Sequence, residues 1–353
     1  MSSQYFRFGA RAAEPRRCAF LEQLLARADA GRPVSDWRAE AFQVIAPQAA
    51  MVPGIAPVAL CADNAAADGV AADGVAADGA SVDGVATHGA DADGIAAAAA
   101  DGAWVCLATP VHYLAEMTTV RLSQDGILSM SRTDAETLAR DFNRVWNGSG
   151  MRLTARGSAR LYCLFDQSLH VTTHDPQDVL DRHIEEYLPV GADAPRLRRL
   201  MSELEMWLFE HVINDARVSL SLPRISGLWL WGGGAPLASL PRVQGWVAGD
   251  DVFFGAFGSS MAEKSHSGER SHGGEKSDSG EITNCGVIVS SQTPGSAGWY
   301  DMEWRWLKPA VAQMRAGRLS QLQISAGERC FTLTARGLRR FWRRRKPWWE
   351  SFA

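Results

Sequence analysis

The chain has 353 residues, 46% of them hydrophobic and 22% charged, which is typical of a globular protein of about two domains. A formal net charge of −4 gives no support for general nucleic-acid binding, and no apolar run is long enough to span a membrane. Six scattered cysteines without a Cys-x-x-Cys pair argue against a zinc site and favour reduced thiols in the cytoplasm.

The predicted elements of the first half begin with a helix over residues 18–30, whose apolar positions recur at helical spacing. The apolar run 104–108 predicts a buried strand. Asp125-Gly126 lies between two short apolar runs and predicts a hairpin turn. Ser131 and Asp134 form a capping box, which predicts that a helix begins there.

The second half continues with a strand pair around Gly157 and a long helix whose apolar stripe runs from Leu197 to Leu208. Later apolar runs predict strands at 246–248 and 286–289, a helix over 304–316 and a hairpin over 322–333. Helices alternating with strands and hairpins predict an α/β fold with a mixed sheet flanked by helices.

Two stretches interrupt this pattern. Residues 62–103 are almost entirely alanine, aspartate, glycine and valine, and Asp-Gly recurs there every five residues. Residues 258–283 are rich in serine, glycine, glutamate, lysine and histidine. Neither composition can bury enough apolar surface to offset chain entropy, so both are expected to be disordered insertions.

The apolar run ending in Trp231, Gly232, Gly233 and Gly234 follows the long helix. Glycine tolerates positive φ and close approach, so this run is either a ligand-binding loop at a strand end or a tight turn. It matches neither the phosphate-binding loop nor the dinucleotide fingerprint.

Five motifs from residue 126 onward occur in the order seen in one known family. They are Ser131-Arg132-Thr133-Asp134-Ala135-Glu136, His174-Asp175, Glu185-Glu186-Tyr187-Leu188-Pro189-Val190-Gly191, Asn214-Asp215-Ala216-Arg217 and Trp229-Leu230-Trp231-Gly232-Gly233-Gly234. This segment resembles the substrate-binding insertion of archaeal-type cofactor-independent phosphoglycerate mutases, members of the alkaline phosphatase superfamily. With Pro110-Val111-His112 and the segments 306–309 and 337–344, most of the chain, apart from its start and the two insertions, resembles bacterial regulatory proteins of the RpfE type.

The resemblance implies an alkaline-phosphatase-like core, degenerate in its catalytic half, with an inserted α+β substrate-type domain. The core would comprise residues 1–61, 235–257 and 284–353, the inserted domain residues 104–234, and the two disordered insertions residues 62–103 and 258–283.

Catalysis in that superfamily needs two divalent metals and a serine or threonine nucleophile. The resemblance implies an early aspartate ligand and late aspartate and histidine ligands. Asp29 and Asp36 lack the expected setting at the end of an apolar strand. After His211 the only histidines, His266 and His272, lie in the second insertion, and the chain contains no Asp-His dipeptide. We therefore expect no catalytic residue, no metal site and no cofactor.

We expect part of the substrate-binding site of that family to be retained in this chain. Candidate ligand-binding residues are His112, Arg160, His174, Asp175, Asn214, Arg217, Trp231, Gly232, Gly233 and Gly234. His174 and Asp175 either present a ligand or cap a helix, Arg217 either binds an anion or lies solvated at a helix end, and His112 is either a ligand residue or a core histidine. Arg160 is one residue out of register with a substrate-binding arginine of the mutases.

The carboxyl terminus interleaves basic residues with Phe341, Trp342, Trp348 and Trp349. Such a segment either binds a nucleic-acid backbone or lipid surface, or packs its tryptophans on the body of the protein.

The leading hypothesis is a cytoplasmic, non-catalytic regulatory protein that binds a small phosphorylated or acidic metabolite. One alternative is a metal-dependent phosphoglycerate mutase or phosphatase with the unusual ligand set His112, His170, His174 and Asp175. Another is a protein-interaction module that uses the basic tail to bind a protein partner. Nucleic acid is not expected as a partner.

Overall fold

A computed structural model describes residues 2–9, 16–31, 33–73, 103–258, 285–296 and 298–352 of the chain. These residues form two compact units. The first comprises Met1–Val52 and Pro241–Ala353, and the second comprises Pro53–Leu240. Most of the two expected disordered insertions, residues 74–102 and 259–283, lies outside the described residues.

The first unit contains a mixed sheet of six strands. Numbered along the whole chain, they are β1 (Ser3–Arg7), β2 (Asp29–Ala30), β10 (Trp246–Gly249), β11 (Gly286–Val289), β12 (Gln321–Ala326) and β13 (Arg329–Thr334). The spatial order is β10-β11-β1-β12-β13-β2, in which the first four strands are parallel and the last two antiparallel. Every residue of β11 is buried, as expected for an interior parallel strand.

Helices flank this sheet. They are Ala19–Arg27, Trp37–Ile45, Val252–Gly258, Trp299–Met302, the π turn Glu303–Leu307, Lys308–Arg315, the 3₁₀ turn Gly337–Arg339 and Trp348–Phe352. Phe6, Ile324, Trp299 and Trp348 belong to the main apolar core. A second aromatic group joins Phe42 to the helix Val252–Gly258.

The second unit is built on an antiparallel sheet. Its strands are β3 (Trp104–Ala115), β4 (Val120–Ile127), β5 (Met151–Arg156), β6 (Arg160–Phe165) and β9 (Gly227–Gly234). The order is β4-β3-β6-β5, and β9 also pairs with β3. A separate two-stranded ribbon pairs β7 (Val171–Thr172) with β8 (Val190–Gly191).

The helices of this unit are Ile55–Asp73, Arg132–Val145, Pro176–Val179, the 3₁₀ turn Ile184–Tyr187, Ala194–Phe209 and Val212–Ser219. The predicted helix start at Ser131 is confirmed, because the Ser131 hydroxyl accepts a hydrogen bond from the Asp134 backbone N–H. The apolar stripe of the long helix is also confirmed, with Leu197, Leu204 and Leu208 buried.

The hairpin expected at Asp125-Gly126 is wrong. Both residues lie inside β4, and the chain instead reverses between Ala115 and Val120. A bulge within β4 explains the difference, because residues 123–126 lie opposite the single β3 residue His112. A Cβ on Gly126 would come within 2.8 Å of the His112 carbonyl oxygen, so the glycine permits close strand approach.

The expectation that the first insertion is disordered from residue 62 is wrong at its start. Residues 62–73 continue the helix Ile55–Asp73, and alanine, the best helix former, dominates this stretch. That helix packs on β3 and β9, so the second unit begins at Pro53 rather than at residue 104.

The described residues confirm a mixed α/β fold with sheets flanked by helices. In this part of the chain we find no helix that is both long enough and apolar enough to cross a membrane.

Candidate functional site

The tryptophan-glycine run forms β9, whose residues Leu228 to Trp231 are buried beside β3. Other residues of the protein pack closely against its three terminal glycines. A Cβ on Gly233 would lie 1.8 Å from the ring of Trp104, and Gly54 lies close to the Gly233 carbonyl oxygen. Gly232 has φ +67°, a left-handed conformation, and faces Ile55. The glycines therefore let Trp104 and the start of helix Ile55–Asp73 approach the strand.

A first group of predicted residues lies along β9. The indole N–H of Trp229 donates to the His174 carbonyl oxygen at 2.8 Å, and the Gly232 N–H donates to the hydroxyl of Thr173 at 3.1 Å. The indole of Trp231 donates to the Thr109 hydroxyl at 2.8 Å. The first two bonds join the segment that carries His174 to β9, and the third joins β9 to β3.

His174 and Asp175 both have partners within this unit. The Asp175 carboxylate accepts from the Gln177 N–H at 2.9 Å and caps the helix Pro176–Val179, as one of the two alternatives predicted. His174 Nδ1 lies 3.0 Å from the Tyr187 carbonyl oxygen, and its ring is half-buried. Of these two residues, Asp175 is buried, whereas the His174 ring is partly open to solvent.

A second group lies where the chain enters β9. Asn214 is 1% exposed, and its amide donates to the carbonyl oxygens of Leu208 and Ile225 while accepting from the Ile225 N–H. Arg217 is 8% exposed, and its guanidinium donates to the carbonyl oxygens of Pro223 and Ser129. These two side chains hold the segment that precedes β9.

His112 belongs to the same end of β9. Its Nδ1 lies 2.9 Å from the Arg224 carbonyl oxygen and 3.3 Å from the hydroxyl of Ser226. The strand thus separates two groups of predicted residues, and a joint role of all of them at one ligand stays a prediction.

Arg160 lies apart from both groups. Its guanidinium donates to both carboxylate oxygens of Asp63, at 3.0 and 2.8 Å, and Tyr162 donates to the same carboxylate at 2.6 Å. Asp63 lies in the stretch expected to be disordered, and sequence reasoning missed it. The ion pair ties the helix Ile55–Asp73 to the hairpin of β5 and β6.

One carboxyl beside β9 has a shifted pKa. Burial raises the pKa of Glu205 above its ordinary value of 4.5. A Cβ on Gly227 would meet both Glu205 and Tyr113, and burial also raises the pKa of the Tyr113 phenol. Burying a charged carboxylate is unfavourable, so the folded state favours the protonated acid.

This shift predicts a pH dependence of stability. Since the folded pKa of Glu205 is raised, the folded state binds more protons than the unfolded state above about pH 4.5, and stability falls as pH rises through the folded pKa. We expect Glu205→Gln to flatten that decline and to stabilise the protein near neutral pH. Urea unfolding from pH 4 to 8 measures it, with the exposed Glu210→Gln as control. Parallel pH profiles of wild type and Glu205→Gln would contradict the assignment.

The first unit carries a group that sequence reasoning missed. At the carboxyl end of β1, the Arg7 guanidinium lies 4.1 Å from the centre of the Trp37 ring, and that of Arg38 lies 4.4 Å from it. Arg7 donates to the hydroxyl of Ser325 and Arg38 donates to Asp251 at 2.7 Å. Arg7 is partly buried and also donates to the Gly327 carbonyl oxygen at 3.0 Å. No sequence motif signals this cluster, since residues 7, 38 and 251 are far apart along the chain.

The same edge of the sheet allows a test of the two-metal centre that the resemblance implies. Asp251 accepts from the backbone N–H groups of Phe253 and Phe254 as well as from Arg38, and Asp250 accepts from Ser291. Among the described residues, no group of three or more histidine, cysteine, aspartate or glutamate side chains is placed to hold a metal ion. The described residues therefore do not fit a two-metal centre.

A groove of about 670 Å³ also lies in the first unit. Its lining includes Glu40, Cys285, Gln323, Cys330 and Thr332. The volume is within the range of small-molecule sites, and the lining carries one carboxylate and no cation. Its chemistry therefore gives no support for an acidic ligand.

Comparison with known proteins finds no family profile that matches this chain. Over 67 residues, 19% of the chain, it is 40% identical to the 2,3-bisphosphoglycerate-independent phosphoglycerate mutase of Methanothrix thermoacetophila, and the match spans 17% of that enzyme.

Two solved structures are also similar. A cofactor-independent phosphoglycerate mutase from Thermoplasma acidophilum has a TM-score of 0.32 at 12% identity, covering 94% of this chain and 89% of its own. A protein from Pyrococcus horikoshii has a TM-score of 0.35 at 11% identity, covering 94% and 87%. The sequence match thus gives this chain, over 67 residues, a distant similarity to a cofactor-independent phosphoglycerate mutase.

Proposed function

We propose that this protein is a non-catalytic regulatory relative of phosphoglycerate mutases, of the RpfE type, that binds a small phosphorylated or acidic metabolite in the cytoplasm. The observation that carries the proposal is the pair of guanidinium groups of Arg7 and Arg38 over Trp37, at the carboxyl end of a parallel strand. Ligands of open α/β sheets bind at this edge.

The cluster has the chemistry of an anion site. A guanidinium group binds phosphate or carboxylate oxygens through two parallel N–H donors. Arg38 is held by Asp251, and Arg7, which is partly buried, is held by the Ser325 hydroxyl and the Gly327 carbonyl oxygen. Trp37 supports both cations, so an incoming anion meets groups that are already positioned.

The non-catalytic part of the proposal is supported by how the polar side chains are used. Asn214 and Arg217 bond to backbone carbonyl oxygens rather than facing a cavity. Asp250 and Asp251 accept hydrogen bonds from backbone N–H groups and from Arg38. These four polar side chains therefore maintain the fold.

Ligand binding can be tested by thermal shift. We expect 3-phosphoglycerate or inorganic phosphate to raise the melting temperature of the full chain, because a ligand that binds only the folded state stabilises it. Arg7→Met should weaken binding at least about tenfold, since a charge-assisted hydrogen bond contributes roughly 1.5–3 kcal/mol. Arg7→Lys should retain part of the shift, and Arg199→Met, at an exposed ion pair of the second unit, should change nothing. Equal shifts in wild type and Arg7→Met would contradict this site.

Catalysis is tested separately. Mutase and phosphatase turnover is measured with the full chain and added Mn²⁺ or Zn²⁺, together with metal content after dialysis. We expect neither stoichiometric metal nor turnover. Stoichiometric metal with turnover would favour the enzyme hypothesis, and loss of that turnover in His174→Ala would assign it to the alternative ligand set.

A further inference from the structure

The carboxyl-terminal segment concentrates positive charge in an otherwise acidic protein. From Arg329 to Trp349 the chain contains eight basic side chains and no acidic one, although the whole chain has a formal net charge of −4. We define the basic turn as residues 339–346, Arg-Arg-Phe-Trp-Arg-Arg-Arg-Lys.

The basic turn is anchored at both ends. On one side Gly337 is buried, and on the other Trp348 is fully buried, its indole donating to the Arg16 carbonyl oxygen at 2.9 Å. Trp348 thus packs on the body of the protein, as one predicted alternative has it. The turn between these anchors is held as part of the first unit.

Two arginines of the turn face inward. Arg340 binds Asp29, which holds the pKa of that carboxyl below its usual range, and Arg343 donates to the Ala28 carbonyl oxygen at 2.9 Å. These contacts hold the remaining side chains of the turn on the outside.

The outer side of the turn is apolar as well as basic. The side chains of Phe341, Trp342, Arg344, Arg345 and Lys346 are exposed, Phe341 by 79% and Trp342 by 69%. Their rings meet edge to face, with centroids 5.4 Å apart. Exposing two adjacent aromatic rings to water is unfavourable, and a face that is only solvated does not need them. This arrangement therefore indicates a binding surface.

We propose that the basic turn binds the anionic surface of a lipid membrane. Tryptophan and phenylalanine insert at the boundary between head groups and acyl chains, and arginine and lysine beside them bind lipid phosphates. A projecting tip with both features fits a flat anionic surface approached from one side. This inference rests on the tail alone and does not depend on the proposed function.

A single-stranded nucleic acid fits this surface less well. Such ligands lie in basic grooves and stack successive bases on open ring faces. The two rings here meet edge to face, at an interplanar angle of 82°, on a projecting turn rather than in a groove.

The test is sedimentation of the full chain with vesicles of phosphatidylcholine alone or with one third phosphatidylglycerol. We expect binding only to the anionic vesicles, weakening as salt rises. The triple variant Arg344→Gln/Arg345→Gln/Lys346→Gln should lose about 10- to 100-fold in affinity, and Phe341→Ser/Trp342→Ser at least about tenfold.

Matched controls separate this surface from general effects. Trp304→Ser removes a tryptophan that is 67% exposed in the same unit, and Arg132→Gln/Arg144→Gln/Arg199→Gln removes three exposed charges elsewhere. Both should bind like wild type. The proposal is overturned by equal binding to neutral vesicles, by unchanged affinity in the tail variants, or by binding of a single-stranded oligonucleotide without binding of vesicles.

Discussion

Replacing Gly233 by alanine is expected to lower the free energy of unfolding of the second unit by about 3 kcal/mol, at the upper end of the usual cost of overpacking. The added Cβ would lie 1.8 Å from the ring of Trp104, a side chain that is only 5% exposed. Since neither the buried indole nor the paired strand can move freely, the contact is relieved only by separating β9 from β3 or from the helix Ile55–Asp73.

Urea unfolding of the full chain measures the loss, and hydrogen exchange of the β3 and β9 amides locates it. Gly255→Ala is the control, because no atom lies within 4 Å of its added Cβ and the residue is helical. It should leave stability unchanged or raise it by about 0.5 kcal/mol. A Gly233→Ala protein as stable as wild type would show that this close approach is not present in solution.

Asn214→Ala is expected to lower stability on the order of 3 kcal/mol. The substitution removes three hydrogen bonds and leaves the Ile225 N–H, the Ile225 carbonyl and the Leu208 carbonyl without this partner in the interior. Each buried polar group left without a partner costs about 1–3 kcal/mol, partly recovered where water enters.

The matched control is Asn147→Ala at an exposed asparagine of the same unit, which should change stability by less than about 0.5 kcal/mol. Chemical denaturation of both variants gives the comparison. The same proteins also test the ligand-binding prediction for Asn214. If Asn214→Ala kept full stability but lost a metabolite-induced thermal shift, Asn214 would be a binding residue rather than a structural one.

The contrast between these two roles shows what a sequence conveys about a polar side chain. The motif around Asn214 and Arg217 resembles a substrate-binding segment, yet the partners of both side chains here are backbone carbonyl oxygens. Every residue has a carbonyl, so such an acceptor leaves no signature in the sequence. Asp63 was missed for a similar reason. Its sequence neighbours form a low-complexity stretch, and only the structure shows that its carboxylate binds Arg160 and Tyr162.

The sequence by itself determined several of the local elements. Ser131 begins its helix because its hydroxyl bonds an N–H three residues later, and the Leu197 stripe is buried because its spacing matches the helical repeat. Gly157 turns between β5 and β6 with φ +55°, as a glycine can. These outcomes depend on residues only a few positions apart.

Tertiary structure alone decided which distant residues meet. It placed Arg7 and Arg38 over one indole, gave Arg38 the carboxylate of Asp251, and put the tryptophan-glycine run under Trp104 and the helix that begins at Ile55. The order of strands in a sheet brings such residues together. The preference of each segment for helix or strand does not specify that order. For the same reason the basic tail could be noticed from the sequence, whereas only the structure shows that Trp348 is buried and Trp342 is not.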